Sequence, residues 1–316
     1  MVYYIEFSLA FIFEMQAIAI SMFIFIYFAQ NPRIRLKRQH HSWLVLLSMN
    51  FLQLILDLPV AMSFYYRERV WPESNAFCLA WVWWSFSTDA IALYLMVWIA
   101  IERHLLVFHS QELLRGQWRK LLFHYIPIII CLIWPPIVYL GLVVFPAQCT
   151  NAWDFGTLLC GPPCYTYTGT YGIYDFISNV SVPLLLNVLI NILLIIRVIK
   201  GKMSRQPGID WRRHRKMILQ FWAISTLHIA LWSPLVTVSL IQMTVDPLFM
   251  IDQYTTLEYI LYYMPLILPA TCLFGMPEIV NKIKDLLLKR RTNVVTVGDL
   301  ARTRQTRQTQ QNVTVR

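Results

Sequence analysis

Charged residues are scarce in this chain. Only 14% of the 316 residues are Asp, Glu, Lys or Arg, whereas 57% are hydrophobic, and soluble domains carry about 25% charged residues. This composition argues against a water-soluble protein. Apolar runs of about twenty residues, the length that crosses a bilayer as a helix, recur between short basic interruptions. They predict seven transmembrane spans, at about 5–28, 43–65, 77–101, 121–145, 172–196, 217–242 and 255–276.

The sequence also lacks the patterns typical of catalytic sites. It contains no nucleophile–base pair, no set of His and Cys at metal-ligand spacing and no Gly-rich phosphate loop. We therefore expect neither an enzyme nor a bound metal or other cofactor. A channel would need a polar stripe lining a pore, and a transporter would show internal repeats or paired broken helices. Neither pattern is convincing here, and a membrane transporter is kept only as an alternative.

The net charge of +10 would suit a nucleic-acid partner, but the positions of the bases fit a membrane topology better. Basic clusters lie between alternate pairs of spans, in segments 33–38, 115–120 and 197–216. The other loops carry only Arg67 and Arg69 as bases. Because basic loops stay in the cytoplasm, we expect the amino terminus outside the cell, the carboxy terminus inside, and the bilayer as a partner instead of nucleic acid.

Four of the six cysteines map to the outer face of this topology: Cys78, Cys149, Cys160 and Cys164. Extracellular cysteines meet an oxidising environment and commonly pair. Four of them suggest two disulfide bonds, for which three pairings are possible.

The stretch from Cys78 to His104 has a thiol at its outer end and the pair Glu102-Arg103 at its inner end. In a helix, Cys78 and Arg103 would lie roughly 37 Å apart, which covers a hydrocarbon core and part of each interface. The third transmembrane helix of the rhodopsin-like G-protein-coupled receptors carries a Cys and an acid-Arg-aromatic triplet at this same spacing. The stretch therefore resembles that family.

Three further spans share features with these receptors. Trp232-Ser233-Pro234 in the sixth span resembles the family's Cys-Trp-x-Pro kink, and Pro183 and Pro269 match its prolines in the fifth and seventh spans. The resemblance implies an all-α, seven-transmembrane helix bundle at the plasma membrane. It also implies an amphipathic cytoplasmic eighth helix, for which we take 277–289.

We expect two regions on this basis: a receptor domain at 1–290 and a disordered cytoplasmic tail at 291–316. Of the three disulfide pairings we favour Cys78 with Cys160, which leaves Cys149 with Cys164.

The resemblance implies that an extracellular ligand activates a heterotrimeric G protein. Ligand binding would swing the inner part of the sixth helix outward at Pro234, below Trp232, and expose Arg103, with Glu102 as the expected partner of that arginine. Pro269 belongs to the same activation set. The chain departs from the family at Asn191, where a tyrosine is usual, and the seventh span also lacks the family's Asn and Tyr. A divergent seven-transmembrane protein with little or no G-protein coupling is therefore an alternative.

By resemblance, five residues would line the outer ligand pocket: Ser85, Asp89, Asp175, Trp232 and Glu258. The three acids predict an acidic cup that prefers a cationic ligand, such as a basic peptide or an atypical amine. Ser85 stands where amine receptors have their ligand-pairing Asp, so a simple amine is disfavoured. The alternative is that the acids are protonated or point into helix contacts.

Two further polar residues are expected inside the bundle, because charged groups avoid lipid. Asp57 stands where the family has its sodium- or water-binding acid, although the matching positions, among them Ala92 and Leu268, are apolar. His228 is either a hydrogen-bonded core residue or a partner of Asp89 that responds to pH.

Overall fold

The computed structural model describes residues 2–32, 41–108, 121–167, 169–203, 211–246 and 248–274. Within these ranges all regular structure is helical. In the part of the chain that the structure describes, seven helical spans are long and apolar enough to cross a membrane: Phe7–Gln30, His41–Arg67, Asn75–Leu105, Leu121–Val144, Gly169–Arg197, Trp222–Thr244 and Ile251–Leu273. The predicted seven-helix membrane fold is therefore confirmed, and we number the spans one to seven in this order.

Three spans are continuous α-helices and four are interrupted. The continuous helices are Val2–Gln30, Asn75–Phe108 and Trp211–Thr244, in spans one, three and six. Span two consists of His41–Leu56 and Leu58–Arg67, and span seven of Ile251–Leu261 and Tyr263–Phe274. Spans four and five combine α-helix (Ile126–Tyr139; Gly169–Asp175 and Val182–Met203) with π-helical segments (Leu121–Tyr125 and Leu140–Val144; Phe176–Ser181).

Prolines account for two of these interruptions. A proline has no N–H to donate and its ring clashes with the preceding turn, so the helix breaks at Asp57, two residues before Pro59. In span five the π-helical segment Phe176–Ser181 ends just before Pro183. In span six, by contrast, the helix runs through Pro234, although this residue cannot donate a hydrogen bond to the carbonyl of Ala230.

Span three lies at the centre of the bundle. In its most apolar stretch 61% of the residues are buried, compared with 28% in spans one and four. Its side chains Leu95 and Met96 are fully buried, whereas large apolar residues such as Phe11 in span one and Ile130 in span four are exposed. Exposed apolar surface of this extent is expected of helices that face lipid.

The loop between spans four and five is joined to span three by a disulfide bond from Cys78 to Cys160, and a second bond joins Cys149 to Cys164. This is the pairing that we favoured. Leu158 in this loop is buried against the outer ends of spans two and three. The loop therefore covers that end of the bundle.

Several sequence predictions lie outside the described residues. These are the eighth helix at 277–289, the tail at 291–316 and the basic segments 33–38 and 115–120. The division at residue 290 and the direction in which the chain crosses the membrane stay predictions. Inner and outer refer to this predicted direction, with Cys78 at the outer end of span three and Arg103 at its inner end.

Candidate functional site

At the inner end of the bundle, Glu102 and Arg103 are both buried, with 5% and 3% of their surface exposed. One carboxylate oxygen of Glu102, Oε2, accepts a hydrogen bond from Ser42 Oγ at 2.5 Å. The other, Oε1, lies 2.6 Å from Nδ1 of His124. Nε2 of that imidazole lies 3.2 Å from Nδ1 of His41. Glu102 therefore connects the inner ends of spans two, three and four.

The hydrogen bonds of Glu102 differ from those that we expected. The sequence suggested Arg103 as its partner, and the two side chains do interact electrostatically, but its hydrogen bonds go to Ser42 and His124. Sequence reasoning missed both residues because they lie 60 and 22 positions away along the chain. No local pattern marks either of them.

At the other end, Asp57 accepts hydrogen bonds from Trp81 Nε1 at 2.7 Å and from Ser85 Oγ at 3.3 Å. The prediction that Asp57 lies beside Ala92 of span three is therefore wrong. Asp57 contacts span three at Trp81 and Ser85, which lie about two helical turns or more outward of Ala92. Asn50 lies two turns inward of Asp57 in span two, and its side chain donates a hydrogen bond to the carbonyl of Pro265. Asp57 is nevertheless buried, as predicted.

Ser85, which was predicted to line the ligand pocket, is 3% exposed and holds the carboxylate of Asp57. Its role in the structure is therefore a contact between spans two and three.

Asp89 lies in span three, one turn inward from Ser85. Its Oδ1 accepts a hydrogen bond from Gln53 Nε2 at 2.8 Å. Among the described residues, no hydrogen bond reaches Glu258 in span seven. Asp57, Asp89 and Glu258 all interact electrostatically with Tyr262, so three acids converge on one region of the outer half of the bundle.

Asp175 makes a different set of contacts. Its Oδ2 accepts a hydrogen bond from the phenol of Tyr165 at 2.7 Å, and its Oδ1 accepts one from Asn179 Nδ2 at 2.7 Å. Burial and the carboxylate of Asp175 raise the pKa of Tyr165 well above its ordinary value, so this phenol stays protonated and donates. Oδ2 thus joins the outer loop to span five, and Oδ1 is bound within span five. Because both oxygens have partners, we place this acid outside the ligand cup.

Trp232 is 8% exposed and packs in an apolar cluster with Leu93 of span three. Leu93 is one turn inward from Asp89, and Leu257, next to Glu258, also packs against this cluster. Trp232 therefore lies inward of Asp89 and close to the level of Glu258. His228, one turn further in, is 1% exposed, and its Nδ1–H donates to the carbonyl of Ile224 at 3.3 Å. The core role of this histidine is the one that the structure supports, and the suggested contact with Asp89 is absent from the described hydrogen bonds.

A family model described as 7 transmembrane receptor (rhodopsin family) matches residues 15–275. The chain belongs to this receptor family. No curated protein matches it. As a member of this family the chain is a multi-pass receptor of the plasma membrane, and its partners are a ligand and a G protein. Receptors of this fold are generally not enzymes.

The receptor departs from its family inside spans five and seven. Asn191, at the position of a family tyrosine, is buried and donates to the carbonyl and side chain of Asn187 at 2.7 and 2.8 Å. Both contacts lie within its own helix. Leu268 and Cys272, which replace the family's Asn and Tyr in span seven, are each 1% exposed. Neither of these side chains can supply the strong hydrogen bonds of the residues that it replaces.

Proposed function

We propose that this receptor binds a cationic extracellular ligand, a basic peptide or an atypical amine, and activates a heterotrimeric G protein. The observation that carries the ligand class is the pair Asp89 and Glu258, which lie in one region of the bundle near Trp232 without a described basic partner. Arg67, at the outer end of span two, stacks instead on Trp71 in the first external loop. A cation that enters the bundle would satisfy both acids, which is favourable because an unpaired charge in such surroundings is costly.

The two disulfide bonds support the proposed orientation. Both lie at the end of the bundle that contains Asp89 and Glu258. Disulfides persist in oxidising compartments and are rare in the cytosol. The acidic cup would therefore open to the outside of the cell, and Arg103 would lie on the cytoplasmic side.

Activation would shift a population between two states. A ligand stabilises a state only through contacts that it makes better there, and the packing of Leu93 and Leu257 around Trp232 connects both acids to span six. Pro234 lacks the hydrogen bond to the preceding turn, so less energy opposes bending at this point than elsewhere in the helix. An outward swing of the inner part of span six would then open the bundle beside Arg103.

Neutralising either acid should weaken the action of a cationic ligand. A hydrogen bond to a charged group contributes about 1.5–3 kcal/mol, so we expect Asp89→Asn and Glu258→Gln each to lower potency about 10- to 100-fold. A panel of amidated basic peptides and amines would be tested for G-protein activation in cells. Glu73→Gln is the matched control, because Glu73 is an exposed external acid paired with Arg69.

If both cup variants keep wild-type potency for every cation that activates the wild type, the proposed acidic cup is wrong. Glu73→Gln should leave potency at the wild-type value.

The second candidate is a receptor that couples weakly to G proteins, and Asn191 favours it. Because its described hydrogen bonds stay within span five, this shorter side chain does not make the contact between helices that a tyrosine would reach. A guanine-nucleotide exchange assay on the reconstituted receptor separates the two candidates: exchange supports the first, and its absence with the active ligand supports the second.

A further inference from the structure

Span one carries a polar side chain, Gln16, on the side that faces lipid. Gln16 is the midpoint of the helix Val2–Gln30, fourteen residues or about 21 Å from either end. A hydrocarbon core is about 30 Å thick, so this residue lies near the middle of the membrane. Its side chain is exposed, and the exposed residues along the same side of the helix are apolar: Ile12, Met15, Ala19, Met22 and Ile26. We call these six residues the outward face of span one.

Gln16 differs from the exposed hydroxyl groups of span six. Thr226 and Thr237 are also exposed, and each donates to the carbonyl four residues earlier in its own helix, at 2.8 and 2.7 Å. Their polarity is thus satisfied without a second helix. Across the described ranges, by contrast, no hydrogen bond engages the amide of Gln16. A polar group without a partner is costly in hydrocarbon, where no water can hydrogen-bond to it, so this amide favours contact with another membrane helix.

The chemistry of the amide indicates which helix that is. The side chain of Gln16 has an acceptor, Oε1, and a donor, Nε2, so two such amides can pair with each other, each donating to its partner. All copies of the chain cross the membrane in the same direction and present Gln16 at the same depth. In a two-fold dimer one patch meets the identical patch of the partner, which brings the two amides together. A second copy of this receptor therefore matches the outward face in both depth and hydrogen-bonding groups.

We propose that two copies of the receptor associate through the outward face of span one, and that their Gln16 amides pair at the middle of the contact. Ala19, one turn inward on the same face, has a small side chain that lets the two backbones approach closely, as small residues do where membrane helices pack. The opposite side of this helix is already in use, since Ala10 and Ala17 are buried against Leu54 of span two and Leu266 of span seven. The dimer thus forms without disturbing the contacts that hold span one in the bundle.

The first test measures the dimer dissociation constant of the full-length receptor in lipid vesicles, by energy transfer between fluorescent labels at a series of protein-to-lipid ratios. A polar contact between model membrane helices changes association about 5- to 30-fold, so we expect Gln16→Leu to weaken the dimer by this factor. Gln16→Asn keeps the amide on a shorter side chain and should weaken it less. Thr237→Val is the matched control, because Thr237 is exposed on span six and its hydroxyl is bonded within its own helix; its constant should equal that of the wild type.

The second test locates the contact. Residues of a two-fold interface that lie near the axis meet their own copies, so Ala19→Cys should form a disulfide between two receptors when membranes are oxidised. Ile130→Cys, which is exposed on span four, should not. The wild type gives the background, since its two free cysteines, Cys131 and Cys272, are buried.

Neither test requires a ligand or a G protein. The thermal unfolding of Gln16→Leu should match that of the wild type, because Gln16 is exposed and outside the packed core, and this comparison verifies that the variant is folded. A wild type that stays monomeric at every protein-to-lipid ratio, or a Gln16→Leu dimer as tight as that of the wild type, would overturn the proposal. A Gln16-dependent contact with a different membrane protein in cells, together with a monomeric purified receptor, would also overturn it.

Discussion

Replacing Arg103 by alanine should lower receptor-driven nucleotide exchange at least about 30-fold, because removing one partner of a buried charge interaction at an interface costs 2 kcal/mol or more. Among the Arg and Lys side chains whose exposure the structure describes, Arg103 is the buried one. A charged residue inside a membrane span is costly and for this reason marks a functional site. Ligand binding should survive, since the cup lies at the opposite end of the bundle. Exchange and ligand binding are measured on the same reconstituted sample.

A matched control is Arg67→Ala, the same substitution at the outer end of span two. Arg67 is exposed and stacks on Trp71, so exchange should stay at the wild-type rate. Arg103→Lys should give an intermediate rate, because lysine keeps the charge but loses the planar guanidinium that binds carbonyl and carboxylate groups at two points. Wild-type exchange by Arg103→Ala would rule out the proposed role of this residue.

The fold could be predicted from the sequence because the bilayer imposes it. A span must satisfy its own backbone hydrogen bonds in lipid, and its length is set by the thickness of the hydrocarbon, so apolar runs identify the helices directly. The predicted third span at 77–101 compares with Asn75–Leu105 in the structure. The anchors Cys78 and Arg103 are fixed by the same helix, and for this reason their separation carries information about the fold.

The partners of the buried polar groups could not be predicted in the same way. Counting residues assumes an unbroken helix with 3.6 residues per turn, and the two misplaced acids lie where this assumption fails. Asp57 lies at the interruption between the two helices of span two. Asp175 directly precedes the π-helical segment Phe176–Ser181, and an α-helical register does not give the direction of a side chain beside such a segment.

Contacts such as Glu102 with His124 depend on how neighbouring helices rotate against each other. Both residues lie in spans that the sequence identifies, but the hydropathy of a span does not specify which side faces a given neighbour. A histidine in an apolar helix is consistent with many buried positions. The disulfide pairing that we favoured agrees with the structure. It joins the end of a helix to a loop, so it required no knowledge of helix rotation.

The two disulfide bonds should contribute unequally to stability, since they close loops of different length. Their sequence separations are 82 residues for Cys78–Cys160 and 15 residues for Cys149–Cys164. The loop-entropy relation gives about 4.5 and about 3 kcal/mol, respectively. These are upper values here, because helices that stay inserted in the bilayer restrict the unfolded chain even without the bonds.

The measurement compares Cys78→Ala/Cys160→Ala with Cys149→Ala/Cys164→Ala, so that neither variant leaves an unpaired thiol from the bond that it removes. We expect the first variant to unfold more readily in bicelles and to lose ligand binding, because the Cys78–Cys160 bond holds Leu158 against Trp81 and Tyr65 at the outer end of the bundle. The second variant keeps that attachment, so it should retain binding with a smaller loss of stability. An equal or larger loss in the second variant would show that the short loop, and not its attachment to span three, sets the stability of the covered end.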